Sequence, residues 1–184
     1  MGFDVYGKAP QLVSERPDID WEKDPSDQER DKFFKDLEQF EQDNPGYYFR
    51  NNVWWWRPLW AYICNEVAPN ILSDEDKERG EFNDCHLITA IKATYIADRI
   101  DELDKSGELE AFEEKYKRSL KALPKETCNI CNGSGVRNDE HVKGKCNACE
   151  NGKRENWAKS YPFEADNVRE FAKCARASGG FEIG

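Results

Sequence analysis

"CHLITAIKATYIADRIDELDKSG", residues 85–107, is the clearest periodic run in this chain of 184 residues. Read as a helix, it begins at His86 or Leu87 and stops at Gly107. Leu87, Ala90, Ile91, Thr94, Ala97 and Asp98 fall along one broad side, and Ile88, Tyr95 and Ile96 widen the apolar zone. Such a helix belongs near the centre of a helical fold. The next segment repeats the pattern: Leu109, Phe112, Tyr116, Leu120 and Leu123 recur every three or four residues. With "DKSGE" between them, the two segments read as an antiparallel helical hairpin.

Working outward, Ser26 and Glu29 of "SDQE" fit a capping box that opens a helix carrying Phe33, Phe34, Leu37 and Phe40. "DNPG", residues 43–46, closes it. "SDED", residues 73–76, marks another start before Gly80. In "YYFRNNVWWWRPLWAYICNEV", Pro58 has no amide to donate, which places the helix start near Arg57 or Pro58. Val168, Phe171, Ala172 and Ala175 form the inward side of a last helix. Phe181 and Ile183 alternate with Glu182 as a short strand. Residues 1–25, with Pro10, Pro17 and Pro25, read as an irregular or partly extended arm whose Phe3, Val5 and Tyr6 tuck against the core.

The expected fold is therefore mainly α. It is a compact helical domain over residues 1–184, with a two-knuckle, four-cysteine hairpin subdomain at 125–157 inserted before the last helix, and a few short strands.

Composition narrows the function. The net charge is −10, which disfavours phosphate backbones and anionic membranes at long range. Charge is uneven: residues 1–46 hold thirteen acids against six bases, whereas 128–160 hold six bases against four acids. Six Trp, seven Tyr and ten Phe argue for a folded chain. No apolar run is long enough to cross a membrane, and the first residues lack a signal core. Tyr6 stands where a myristoylation motif needs Ser or Thr. A cytoplasmic protein is the expectation.

Seven cysteines include two Cys-x2-Cys pairs, Cys128/Cys131 and Cys146/Cys149, with fourteen residues between the inner members. In a reducing compartment this spacing reads as metal ligation. Four thiolates surround one Zn2+ in a tetrahedron and leave no open position for water or substrate, so the expected zinc is structural. It would order a stretch poor in apolar residues. His141 reads as a loop residue.

"CNICNGSG", residues 128–135, resembles the Cys-x-x-Cys-x-Gly-x-Gly repeat of the DnaJ-type cysteine-rich zinc domain. The resemblance implies that Cys128, Cys131, Cys146 and Cys149 form one zinc centre of that kind. After Cys149 the two glycines of the repeat are out of place, and the His-Pro-Asp tripeptide of a J-domain is lacking. "GFDVYG" (2–7), "YYFRNNVWWWRPLW" (47–60) and "ASGGFEI" (177–183) are similar to stretches in small proteins of bacteriophages and prophages. That similarity implies a bacterial cytoplasm and an accessory or host-interaction role.

Other constellations are weaker. Trp54, Trp56 and Trp60, flanked by Arg50 and Arg57, read either as core or as a wall for a nucleotide-like ligand or a partner. Arg137, Lys143, Lys145, Lys153 and Arg154 on the hairpin offer a nucleic-acid patch interrupted by acids. Cys85 and His86 are adjacent, not facing, so they do not make a nucleophile–base pair. Asp98 and Glu102 share a helix face, which suits a metal or acid–base pair but equally a solvated surface. The sequence contains no P-loop, Rossmann glycine run or HExxH motif. The favoured reading is a structural-zinc protein that recognises another protein. A small-molecule or nucleotide binder using residues 50–60 is the first alternative. Nucleic-acid binding by the hairpin is the second. The reading leans away from an enzyme.

Overall fold

The alternation in "GFDVYG" is that of a strand with one face inward: Phe3 and Val5 are buried while Asp4 and Tyr6 point away. In the computed structural model, which describes residues 2–184, this segment is strand β1 (Gly2–Gly7). It pairs antiparallel with β2 (Tyr48–Asn52) and with β8 (Gly180–Ile183), and β8 pairs antiparallel with β3 (His86–Thr89). The sheet order is β2-β1-β8-β3. The first and last strands of the chain are thus its two central strands. Asp4 and Gly184 exchange both main-chain hydrogen bonds at 2.8 Å.

A sheet at the centre corrects the mainly-α expectation. The described residues are 49% helix and 16% strand, and the small strand share contains the floor of the core, so the fold is mixed α/β. Helices α2 (Val53–Tyr62), α4 (Ala90–Ser106) and α6 (Ala165–Ala177) lie on one face of the sheet, against Phe3, Val5, Ile88, Phe181 and Ile183. The other face is open: Tyr6 and Leu87 are exposed there, among Asp4, Tyr48, Arg50 and Glu182. Phe49 and Phe181 both meet the ring of Phe171 edge-on at 5.4 Å, tying sheet to helix.

The run at 85–107 splits in two. His86–Thr89 alternate buried and exposed and contain β-branched Ile88 and Thr89, which suit a pleated edge. Cys85, at φ 60°, makes the turn into it. The helix starts only at Ala90, and its buried stripe is Ala93, Ile96, Ala97, Ile100 and Leu103. Ile91 is 83% exposed, so the broad apolar side read from the sequence is out of phase. Gly107, at φ 80°, joins α4 directly to α5 (Glu108–Ala122).

α2 also starts earlier than expected. Asn52 caps it, its side chain accepting from the amides of Trp54 and Trp55 at 3.0 and 3.2 Å. Pro58 therefore sits inside the helix. It removes the donor that the Trp54 carbonyl would otherwise receive, and Trp54 lies at the exposed surface where water can serve instead. The helix runs on into a π-turn at Ile63–Val67, with Ala68 N donating to Ile63 O at 2.8 Å.

The arm after β1 is laid along α1 (Asp27–Asp43). Asn44 holds it by accepting from Val13 N at 2.7 Å and reaching the Ser14 hydroxyl at 3.3 Å. Trp21 meets Phe33 edge-on at 5.9 Å. The Ser26/Glu29 capping box is present, as is that of Ser73/Asp76 opening α3 (Asp74–Arg79). Of the four apolar residues read on α1, Phe40 alone is buried, and Phe34 is exposed.

Candidate metal centre

Between α5 and α6 the chain makes a small excursion. Its base is a two-residue ladder, β4 (Glu126–Thr127) against β7 (Lys153–Arg154), and its arm is the hairpin β5 (Val136–Asn138) to β6 (Lys143–Lys145). The only buried side chains within it are sulfurs: Cys128, Cys131 and Cys146, with Cys149 half-buried beside them. Their four Sγ atoms lie within 4.8 Å of one another, and Cys131 and Cys149 are 3.6 Å apart. Ligands about 2.3 Å from a tetrahedral zinc would stand roughly 3.8 Å apart, so this donor set fits a metal ion.

The local chain geometry shows how so polar a segment brings them together. Each knuckle turns through an Asn-Gly pair in the left-handed region: Asn132 and Gly133 at φ 50° and 81°, Asn151 and Gly152 at φ 50° and 81°. The second pair sits one residue later after its cysteine than the first, which is why the glycine spacing after Cys149 looks irregular in sequence. The two turns touch: a Cβ on Gly152 would stand 2.0 Å from the Gly133 carbonyl oxygen. Cys128 N donates to Gly152 O and Cys146 N to Gly135 O, both at 2.8 Å. Gly135 N donates to the Cys131 sulfur at 3.3 Å. Burial pushes the Cys131 thiol up, but this amide and the neighbouring sulfurs outweigh it and bring the thiol well below its usual range. His141 is exposed at the hairpin tip, outside the sulfur cluster.

The aromatic segment is a filled interior. Trp56 and Trp60 are fully buried and stacked at 5.6 Å, and Phe3 stacks on Trp56 at 5.3 Å. Their indole nitrogens donate to the carbonyls of Gly80 and Lys77 at 2.8 and 3.0 Å. Trp54 is exposed and packs on Tyr161 at 4.8 Å. Arg50 lies on the open face of the sheet, 3.5 Å from Asp4, and Arg57 lies 3.9 Å from Glu81. These five residues do not converge on one cavity.

Nor do the other candidates assemble a reactive site. Cys64 and Cys174 are buried among apolar groups, and burial pushes both thiols up to about 12. Cys85 is exposed, whereas its neighbour His86 turns inward to Asp76 Oδ1 at 3.0 Å. Asp98 and Asp101 both pair with Arg176, and Glu102 pairs with Arg99.

One polar cluster escaped the sequence reading. Asp76, which completes the capping box of α3, is 3% exposed and accepts from Ser73, His86 and Lys92. Burial would raise its pKa, yet these hydrogen bonds hold the carboxyl well below the usual carboxylate range. The capping signal at Ser73 was legible, but the arrival of His86 and Lys92 depends on the tertiary path. The cluster ties α3 to β3 and α4, and every member is used in that tie.

No helix among the described residues is long and apolar enough to cross a membrane. Compared with known proteins, the chain matches no family model, no curated protein and no solved structure, so the reading of this centre rests on its own geometry.

Proposed function

We propose that the four sulfurs hold one structural Zn2+ and that the excursion it orders serves to recognise another protein. The observation that carries the reading is the mutual approach of Cys128, Cys131, Cys146 and Cys149 within 4.8 Å in a segment that buries nothing else. An all-thiolate set selects a soft or borderline metal, and its closed shell supplies no site for a reacting water. The likeness of residues 128–135 to a DnaJ-type zinc repeat supports the same metal. None of the seven cysteines is in a disulfide, which suits a reducing cytoplasm. The likeness of residues 2–7, 47–60 and 177–183 to stretches of phage and prophage proteins supports a bacterial cytoplasm and an accessory role there.

Recognition of a protein is favoured over a nucleotide pocket because Trp56 and Trp60 are packed among Phe3 and Phe171, and the exposed Trp54 lies against Tyr161 with no cavity shared with Arg50 or Arg57. Affinity capture from a bacterial lysate tests the reading. The wild-type chain should retain a protein partner in stoichiometric amount, and Cys131→Ser should lose it. Capture unaltered by that substitution, or capture of nucleic acid in place of protein, would count against it.

A further inference from the structure

The charge of this protein is polarised. Residues 115–125 hold five lysines or arginines and no acid, and residues 115–160 together hold eleven bases against five acids. The rest of the chain holds sixteen bases against thirty-two acids. The second half of α5 and the cysteine excursion therefore form a cationic end on a strongly anionic molecule. Lys125, at the base of the excursion, pairs with Glu150 at 2.9 Å and Glu155 at 3.7 Å.

An apolar groove of about 320 Å³ opens at this end. Its floor is Leu120, Pro162 and the edge of Phe163, and its rim is Lys117, Lys121 and Lys159. Leu120 ends the stripe of α5 whose earlier members, Phe112 and Tyr116, are packed with Phe163 in the core. The stripe thus runs from the core to a half-buried Leu120 at the groove. Carboxylates near the rim are Glu113, 2.9 Å from Lys117, Glu155, 2.7 Å from Lys159, and Glu164. Lys121 has no ion-pair partner among the described residues, nor do Lys115 and Arg118 beside it on α5. The three carboxylates match the three rim lysines in number, and the positive excess of this end comes from Lys115 and Arg118 beside the rim.

We infer that this groove docks an acidic peptide segment of a partner protein, with one bulky apolar side chain seated on Leu120 and Phe163 and flanking carboxylates on Lys117 and Lys121. None of the groove's lining lies between Glu126 and Arg154, so the inference goes beyond the excursion's own role and rests on the reading above only for the partner's being a protein. Charge complementarity selects an anion, and the apolar floor selects a hydrophobic anchor over a phosphate backbone. A long polyanion would also meet the acidic remainder of the molecule, which a short segment avoids.

The test is selection from a display library of random short peptides on the intact, metal-loaded chain, followed by fluorescence anisotropy of the enriched peptides. The enriched sequences should pair Asp or Glu with a large apolar residue and bind more weakly as salt rises. Lys121→Glu should weaken them about tenfold or more, and Lys35→Glu on the distant α1 should leave them unchanged. Enrichment of neutral or basic peptides, or affinity indifferent to Lys121→Glu, would overturn the inference. So would preferential binding of oligothymidylate at the groove, or self-association abolished by Lys121→Glu, which would name a nucleic acid or a second copy as the occupant. Zinc content measured on the same sample separates the two readings. One zinc per chain without peptide binding removes the groove alone, whereas peptide binding to a metal-free chain removes the zinc-ordered role and leaves the groove standing.

Discussion

The sheet-and-helix body and the cysteine excursion are built from the same chain by opposite means. In the body, Trp56, Ile96, Phe171, Phe181 and Ile183 are fully buried, and the first and last strands lock together at the centre. In the excursion the sulfurs are the sole buried cluster and the strands are two or three residues long. Hydrophobic burial stabilises the first, and the second, which lacks such a core, falls to metal–thiolate bonding on the proposed reading. The two regions should therefore fail under different treatments.

Removing the metal gives the largest contrast. Structural zinc contributes about 10–16 kcal/mol of apparent binding energy in small zinc modules near neutral pH. Cys131→Ser, or chelation, should leave amides 128–153 without hydrogen-exchange protection while those of α4 and α6 keep theirs. Loss of protection throughout the chain would erase the distinction between the regions.

Truncating the body tests the other side. Trp56→Ala removes an indole stacked between Phe3 and Trp60 and should cost about 3–5 kcal/mol in denaturant unfolding, with the metal content unchanged. A smaller effect comes from the polar tie of α3. The ordinary carboxyl value of Asp76 is 3.8 and its folded value lies lower. Its contribution is complete above pH 3.8 and is lost as the pH falls below that value. Lys92→Met should lower stability at neutral pH by roughly 1–3 kcal/mol and shallow the acid limb of the stability profile. An acid limb identical to wild type would show that Asp76 is not what that limb reports. The smallest effect belongs to Arg57→Ala, which removes an exposed, long ion pair to Glu81 and should change stability by less than about 1 kcal/mol. A larger loss would mean that residues 50–60 hold more than a packed interior.

The same contrast explains what could be read from the sequence. The clustering of the four sulfurs was legible because its signal is local: two Cys-x2-Cys pairs name a candidate donor set without reference to the rest of the chain. α6 and β8 were legible because Val168, Phe171, Ala172 and Ala175 keep one helical face, and Phe181 and Ile183 keep strict alternation. The sheet was not. β3 has four residues and pairs with β8 at the far end of the chain, while β1 pairs with β2 as well as β8, so each strand depends on partners distant in sequence. Leu87 and Ile88 fit a helical face as well as a pleat, and the pairing decided between them. Pro58 misplaced the start of α2 because the burial of Trp56 and Trp60 on that helix, added to the Asn52 cap, outweighs one missing amide. The Asp76 cluster was hidden because Ser73, His86 and Lys92 share no spacing that sequence alone would join.

X-ray absorption at the zinc edge of the protein, purified gently under reducing conditions, tests the central claim most directly. The account predicts one zinc per chain with four sulfur neighbours at about 2.3 Å. A metal-free protein, or a zinc whose shell includes nitrogen or oxygen in place of those sulfurs, would contradict it.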